Sequence, residues 1–287
     1  MAGFLRHVEA CNRARLADYI PLVFDGQIIG QIRPIFSKQL KQWPDIFLVN
    51  EKSVELLFQN VPFEQRNQKM SELLKVLDAQ DHISHLHGEL YEATAAKRGE
   101  GVVLIDRSAA AYFGIRAFGQ HVNGFVNCDG ELKMWLGRRA MDRKIYPGKL
   151  DQIAAGGLPY QLSLEENLCK ECYEEAGIPA ALAQQAKLVS TIQYFAESEK
   201  GYKPDTLYCY DLELPLDFIP VCTDGEVDSF ELLPISEVMG LVRESDEFKL
   251  NCNLVIIDFL IRHGFIKPEH PEYAELVDGL HSVEISG

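Results

Sequence analysis

One run constrains this chain more than any other: Gly156-Gly157-Leu158-Pro159-Tyr160-Gln161-Leu162-Ser163-Leu164-Glu165-Glu166-Asn167-Leu168-Cys169-Lys170-Glu171-Cys172-Tyr173-Glu174-Glu175-Ala176-Gly177-Ile178-Pro179. It reads as loop, helix, loop. Ser163 is placed to cap the helix, and Glu166 completes a capping box. Gly177 suits the left-handed position after the last turn, and Pro179 forbids resumption. Between these signals lie Glu171, Glu174 and Glu175, whose offsets of three and four residues put them on one side of the helix. Carboxylates held together raise one another's proton affinity unless a cation sits among them. Oxygen-only ligands on a rigid support favour a hard divalent ion, Mg2+ or Mn2+. A bare ExxEE is more often an ordinary solvated face, so the flanks decide.

Those flanks, Gly-Gly before the helix and Glu-Glu-x-Gly-Ile after it, resemble the Nudix box, GX5EX7REUXEEXGU, with U a bulky aliphatic residue. Laid from Gly156, the pattern puts Lys170 at the Arg position. Glu171, Cys172, Glu174, Glu175, Gly177 and Ile178 fall at their expected places. Two positions depart: Leu162 stands at the first Glu and Lys170 at the Arg. In the family those two residues form an ion pair that braces the loop. Glu166, four residues before Lys170, is the expected substitute partner. Cys169 and Cys172 make a single C-x-x-C, which is weak evidence for zinc, and a buried inert thiol is expected at Cys172.

With 287 residues, 47% of them hydrophobic, the chain suits one large or two modest domains and can bury a sizeable core. No apolar run is long enough to span a bilayer, so no membrane partner is expected. The first residues show no secretory h-region, and seven cysteines without a regular framework fit a reducing compartment; a cytoplasmic enzyme is the expectation. The formal charge of −15, from 28 basic and 43 acidic residues, argues against a nucleic-acid groove. A phosphorylated small molecule remains compatible, because a metal and a few local cations reverse the sign of one cleft.

Along the chain, residues 5–18 have helical spacing. Asp25-Gly26 sits between strand-like runs as a hairpin turn, and residues 37–41 read as a short helix. Strands are expected at 46–49 and 53–57, and a helix over 63–79 with Met70, Leu73, Leu74 and Leu77 on one face. His82, His85 and His87 read as a polar turn rather than a metal site. A junction is expected near 97–101 or at 108–113. Asp129-Gly130 marks a second hairpin, and the acidic helix follows. Strands 188–195 and 206–214, an acidic loop 222–229, a short strand 229–233, helices 235–242 and 253–263, and a polar tail complete the reading.

From about residue 115 to 265 this order resembles a complete Nudix domain. Gly-Gln-Ile-Ile-Gly-Gln-Ile-Arg-Pro and Trp-Pro-Asp-Ile-Phe in the first third look like the accessory domain of one Nudix subgroup. That subgroup includes the front half of a fungal thiamine pyrophosphokinase fusion. Residues 113–125 and 142–151 carry further marks of it. The resemblance implies an α/β fold, a Nudix α/β/α sandwich with a mixed sheet (113–287), preceded by a small α+β accessory domain (1–112). It implies a small-molecule diphosphate substrate, for this subgroup a damaged thiamine diphosphate, oxo or ring-opened, cut to monophosphate and phosphate.

It also implies a metal held by Glu171, Glu174, Glu175 and the carbonyl of Gly156. Glu174 or Glu175 is the expected base, with Glu226 on the acidic loop as the other candidate. Arg138 is a candidate phosphate clamp and Lys149 a second. Gln120, His121 and Asn123 are candidates to recognise the heterocycle; strand periodicity puts His121 and Asn123 on one face and Gln120 on the other. For these three a satisfied buried polar role is the competing reading, and for Glu226 a solvated loop charge. The accessory domain is expected either to close over the substrate or to form a homodimer contact. Three other functions fit less well or stay open. Isopentenyl diphosphate isomerase needs a Cys that the loop before Gly156 lacks. A ligand sensor would not need to keep all three glutamates. A nucleoside diphosphate derivative or coenzyme remains an alternative substrate.

Overall fold

Asp25 and Gly26 both have positive φ, 50° and 77°, and so do Asp129 and Gly130, 52° and 93°. That is the backbone of a two-residue type I′ turn, so both Asp-Gly pairs close hairpins as expected. The computed structural model describes residues 3–281. Its first helix is α1 (Leu5–Cys11), followed by a 3-10 turn (Leu16–Asp18). Strands β1 (Ile20–Phe24) and β2 (Gln27–Ile32), helix α2 (Pro34–Leu40), and strands β3 (Phe47–Val49) and β4 (Val54–Leu56) come next. The strands form a sheet in the order β2-β1-β4-β3, with β1 and β4 parallel. Helix α3 (Phe63–Ala79) buries Met70, Leu73, Leu74 and Leu77, the stripe its spacing predicts.

Two elements lie where the sequence reading saw only a junction. Strands β5 (Leu90–Ala93) and β6 (Val103–Asp106) pair as an antiparallel hairpin, and α4 (Ala110–Phe113) follows, ending at Gly114 with φ 59°. Tyr91, Val103 and Ile105 join Leu22, Leu56 and Phe113 in one apolar core, which makes the hairpin part of the accessory unit. The histidine segment is a polar turn: His85 meets Asp78 at 2.9 Å, and His82 meets Gln39 at 3.3 Å.

The second sheet is mixed. Strands β7 (Ala117–Cys128), β8 (Glu131–Arg139), β9 (Leu150–Gln152) and β10 (Ala154–Gly157) precede helix α5 (Leu164–Ala176) and the short α6 (Ala180–Ala183). Strands β11 (Lys187–Glu197), β12 (Tyr202–Glu213) and β13 (Val227–Pro234) follow. Helices α7 (Ile235–Glu244), α8 (Cys252–Arg262) and α9 (Tyr273–Leu280) end the described chain. The strand order is β11-β12-β7-β8-β13, with β10 beside β7 and β9 beside β8; only β12 and β7 run parallel. One face carries α5 and α6 over Val122, Ala154, Leu168, Cys172 and Tyr210. The other carries α7, α8, α9 and also α1, whose Val8 and Cys11, with Phe4 just before it, lie in the same core as Leu207, Val255 and Leu276. The result is the expected α/β/α sandwich, with α1 crossing over to complete one layer. Helix α9 was not legible, because Tyr273, Leu276 and Leu280 sit among acidic residues in what reads as a polar tail. Among the described residues no helix is long and apolar enough to cross a membrane.

Candidate active site

The acidic helix begins and ends as its sequence dictates. The Ser163 side chain accepts from Glu166 N at 3.2 Å, and Glu166 Oε2 accepts from Ser163 N at 2.9 Å. Gly177 takes φ 64°. Tertiary contacts then tie the helix start to β7. Gln120 Nε2 donates to Leu164 O at 2.8 Å, and Asn167 Nδ2 donates to Gln120 Oε1 at 2.8 Å and to Gly157 O at 3.0 Å. Gln120 is thus a strut between sheet and helix, on the α5 face.

Strand register decides what reaches the glutamates. Leu158 N donates to Phe118 O at 2.8 Å, and Gly156 stands opposite Gln120. In an antiparallel ladder, bonded and non-bonded pairs alternate, so Gly156 turns its carbonyl toward β7. Ala155 turns its N–H and C=O to the free edge of β10, where Glu175 Oε2 accepts the N–H at 2.7 Å. The backbone oxygen offered to the carboxylates is therefore that of Ala155, one residue before the expected Gly156. Gly156 contributes through its missing side chain: a Cβ there would overlap the Glu171 carboxyl.

Glu175 is buried, and burial raises its proton affinity well above the usual carboxylate range, with Asp151 and Glu171 adding to the effect. Glu171 is raised too, mainly by burial and against the pull of Lys170. Lys170 does not pair with Glu166, which the capping box consumes; it bridges Glu171 at 3.1 Å and Glu174 at 2.7 Å. Burial works against the Lys170 ammonium, yet the two glutamates hold it above its usual range. One buried and one partly buried carboxyl, both destabilised as anions, a glycine cradle under one of them and an outward-turned backbone carbonyl are a donor set that fits a hard divalent ion. Such an ion would take over from the Lys170 ammonium. The three glutamates share one side of the helix, but their oxygens do not converge as tightly as another group does. Among the described residues, only His121, Asp151 and Cys252 bring three ligand-type atoms within 4.8 Å of one another.

That second group is a closed polar network. Asp151 meets Lys249 at 2.9 Å and Arg139 at 3.1 Å, and it accepts the Cys252 thiol at 2.8 Å. Despite burial, Lys249, His121 and Cys252 hold Asp151 down to about 2. Burial pushes the Cys252 thiol well up, so it stays protonated. Two cations already balance the one carboxylate.

His121 pairs with Ala155 and so shares the face opposite α5 with Ala155, Gly157 and Gly119. Its Nδ1 meets Gln152 Oε1 at 2.7 Å, and burial lowers it to about 4, so the ring is neutral at pH 7. Asn251 Nδ2 stands 3.4 Å from both His121 Nε2 and the Tyr194 hydroxyl, and Tyr194 donates to Asp205 at 2.5 Å. Asn123, on the same face, donates to Asp211 at 3.1 Å, which Arg262 and His263 also bind. His121 is therefore beside β10, the strand against which Glu171 and Glu175 rest, whereas Asn123 is held two residues away in a separate buried network.

The expected cation clamps lie elsewhere. Arg138 is engaged by Glu231 at 3.2 Å and Glu247 at 3.3 Å, and Lys149 donates to Asp246 O at 2.5 Å. Glu226 is paired with Arg143 at 2.9 Å. Its loop does reach the acidic helix, since Thr223 N donates to Glu174 O at 2.8 Å. The accessory domain fills the gap left by the missing Glu–Arg brace. Arg98 donates to the carbonyls of Pro159 (2.8 Å), Tyr160 (3.4 Å) and Leu162, and Tyr160 N donates to Leu90 O at 2.8 Å. Sequence reading missed Arg98, Tyr91 and Arg107. The run Val102-Val-Leu-Ile-Asp106 after Gly99-Glu-Gly101 was the strand signal that would have placed them.

Known proteins agree with this architecture. Residues 3–117 match a family described as a domain of unknown function (DUF4743), and residues 118–252 match the NUDIX domain. Nudix hydrolase 24, chloroplastic, of Arabidopsis thaliana is 42% identical over 290 residues, spanning 100% of this chain and 80% of its own length. Nudix hydrolase 20, chloroplastic, of the same plant is 38% identical over 299 residues, with 100% and 79% covered. Among solved structures, a C. elegans Ap4A hydrolase complex covers 52% of this chain and 99% of its own, at 12% identity and a TM-score of 0.38. The boxed acidic helix and a likeness to the two Arabidopsis Nudix hydrolases that spans this whole sequence meet in one assignment: the chain belongs to the Nudix hydrolase family and is a diphosphohydrolase.

Proposed function

We propose that this diphosphohydrolase acts on a thiamine diphosphate derivative, oxo or ring-opened, releasing the monophosphate and phosphate with Mg2+ (Mn2+ also serving). The reaction class is carried by one observation: Glu171 and Glu175 are fixed against Gly156 and Ala155, and both are raised above the usual carboxylate range by burial, Glu171 in spite of its Lys170 contact. The substrate class is supported by the subgroup marks at 113–125 and 142–151. His121, Asn251, Tyr194 and Asp205 form a polar cluster on the face of the sheet opposite α5, with chemistry suited to a nitrogen heterocycle. The Oδ1 of Asp205 is buried there without a hydrogen-bond partner among the described residues.

Glu171, Glu175 and the Ala155 carbonyl are the groups that would hold the ion. A divalent cation there would supply charge neutralisation for phosphate oxygens and a lowered pKa for water. Glu174, 38% exposed at its side chain, is free to exchange its Lys170 contact for the water proton. The water oxygen bonds to the terminal phosphorus, the bridging P–O bond breaks, and the monophosphate departs. Lys170, released from the carboxylates, stays near as a compensating charge.

A phosphate-release screen with Mg2+ tests this against oxo-thiamine diphosphate, thiamine diphosphate, nucleotide sugars and nucleoside triphosphates. The expected result is preference for the damaged thiamine diphosphate. Glu174→Gln is expected to lower turnover about 10²- to 10⁴-fold with the fold intact by circular dichroism. Preference for a nucleotide would replace the substrate assignment, and equal rates for the two enzymes would refute the role of Glu174.

A further inference from the structure

We propose that the accessory domain completes the active site, with Arg107 binding the substrate's diphosphate. The residue is delivered by the β5–β6 hairpin. Arg107 N donates to Glu89 O at 2.8 Å, and Arg107 Nη1 meets Glu89 Oε2 at 2.7 Å. The turn that carries it is fixed by Asp106, whose carboxylate accepts from the backbone of His87 (3.0 Å), Gly88 (2.7 Å) and Ser108 (2.9 Å). The guanidinium is therefore held in place before any ligand arrives, which lowers the ordering cost of binding.

Its position is set by Gly157. A Cβ built there would strike the Tyr91 hydroxyl and stand 3.5 Å from Arg107 Cζ. Gly157 projects to the face opposite α5, and its neighbour Gly156 cradles Glu171. Arg107 thus lies at the end of β10, across the strand from the carboxylates. The electrostatics agree: burial disfavours its charge, but Tyr91, Glu89 and Glu171 raise its proton affinity above the ordinary. Its side chain is 42% exposed, and among the described residues only Nη1 has a side-chain hydrogen bond, which leaves the rest of the planar fork without such a partner. A guanidinium offers two parallel N–H groups to phosphate oxygens.

The need is specific to this chain. A diphosphate approaching the end of β10 meets Glu89 on one side and Glu171, Glu174 and Glu175 on the other, an excess of negative charge. Arg138 and Lys149, the cations expected to answer it, are committed to Glu231, Glu247 and the Asp246 carbonyl on the β8–β13 side. Arg107 answers it from the accessory domain instead, and the missing side chain of Gly157 is what lets it come this close to β10.

This rests on the diphosphohydrolase reading, and the test separates the two. Wild type, Arg107→Ala and Arg107→Lys are compared by calorimetry with methylenediphosphonate plus Mg2+, and by steady-state phosphate release. Thermal melting of each variant monitors the fold. In wild type, methylenediphosphonate binds. In Arg107→Ala, affinity and kcat/KM fall about ten- to a hundredfold, mostly through KM. Arg107→Lys recovers part of the loss, and added guanidinium recovers part of it in the Ala variant. Unchanged affinity and KM in Arg107→Ala, beside an active wild type, overturn the role of Arg107. A wild type that neither binds nor cleaves any diphosphate overturns the functional reading itself, and the inference with it.

Discussion

Single residues here are set by what they lack as much as by what they carry. Gly156 and Gly157 have no side chains, and those two absences admit the Glu171 carboxyl and the Tyr91–Arg107 pair from opposite directions. His121 illustrates a buried polar residue whose charge is excluded. Burial lowers it from 6.5 to about 4, with Lys249 adding to the effect. The unfolded chain therefore binds the proton first as pH falls. Stability from this group is complete above pH 6.5 and is lost on the way down to about 4. The whole span is worth on the order of 3 kcal/mol. Denaturant unfolding at a series of pH values is expected to show that decline, and His121→Asn should flatten it. An equally steep slope in the variant would place the proton elsewhere.

At the scale of elements, the acidic helix was legible from end to end. Capping box, left-handed Gly177 and the shared side of three glutamates all follow from spacing along one segment. The loop before it was not. The expected Glu166–Lys170 brace fails because the capping box draws the Glu166 carboxylate back to Ser163 N, while Lys170 turns to Glu171 and Glu174. Arg98, distant in sequence, braces the loop through three carbonyls. Arg98→Ala is expected to cost about 1–3 kcal/mol and to lower kcat, because the Gly-Gly strand and the helix start lose their tether. Amide hydrogen exchange across residues 158–163 should accelerate. Unchanged exchange there would mean that the Tyr160–Leu90 contact alone holds the loop.

Over the whole molecule, the two units are knitted together in both directions. The β5–β6 hairpin of the first unit reaches the active site of the second. Phe4 and α1, from the start of the chain, complete the layer over α8 and α9. Phe4 is 2% exposed, its N–H donates to Glu272 at 2.9 Å, and its ring meets His270 edge-on. Phe4→Ala is expected to destabilise the fold by about 3–5 kcal/mol while leaving KM near that of wild type, since the residue is on the layer away from the carboxylates. A melting temperature equal to wild type would show that this layer closes without it.

Local spacing and turn chemistry determined the two hairpins and the acidic helix, and the resemblance carried by its motif implied the two-part architecture, the mixed-sheet sandwich and the hydrolase family. Those properties depend on neighbours in the chain, and neighbours are what a sequence displays. Tertiary structure alone decided that Arg138 and Lys149 are spent on other partners and that Ala155 rather than Gly156 turns its carbonyl to the carboxylates. It alone brought Arg98 and Arg107 to the site from the accessory domain. Each of those depends on which carboxylate, carbonyl or strand edge arrives from elsewhere, and only the packed chain brings them within hydrogen-bonding reach.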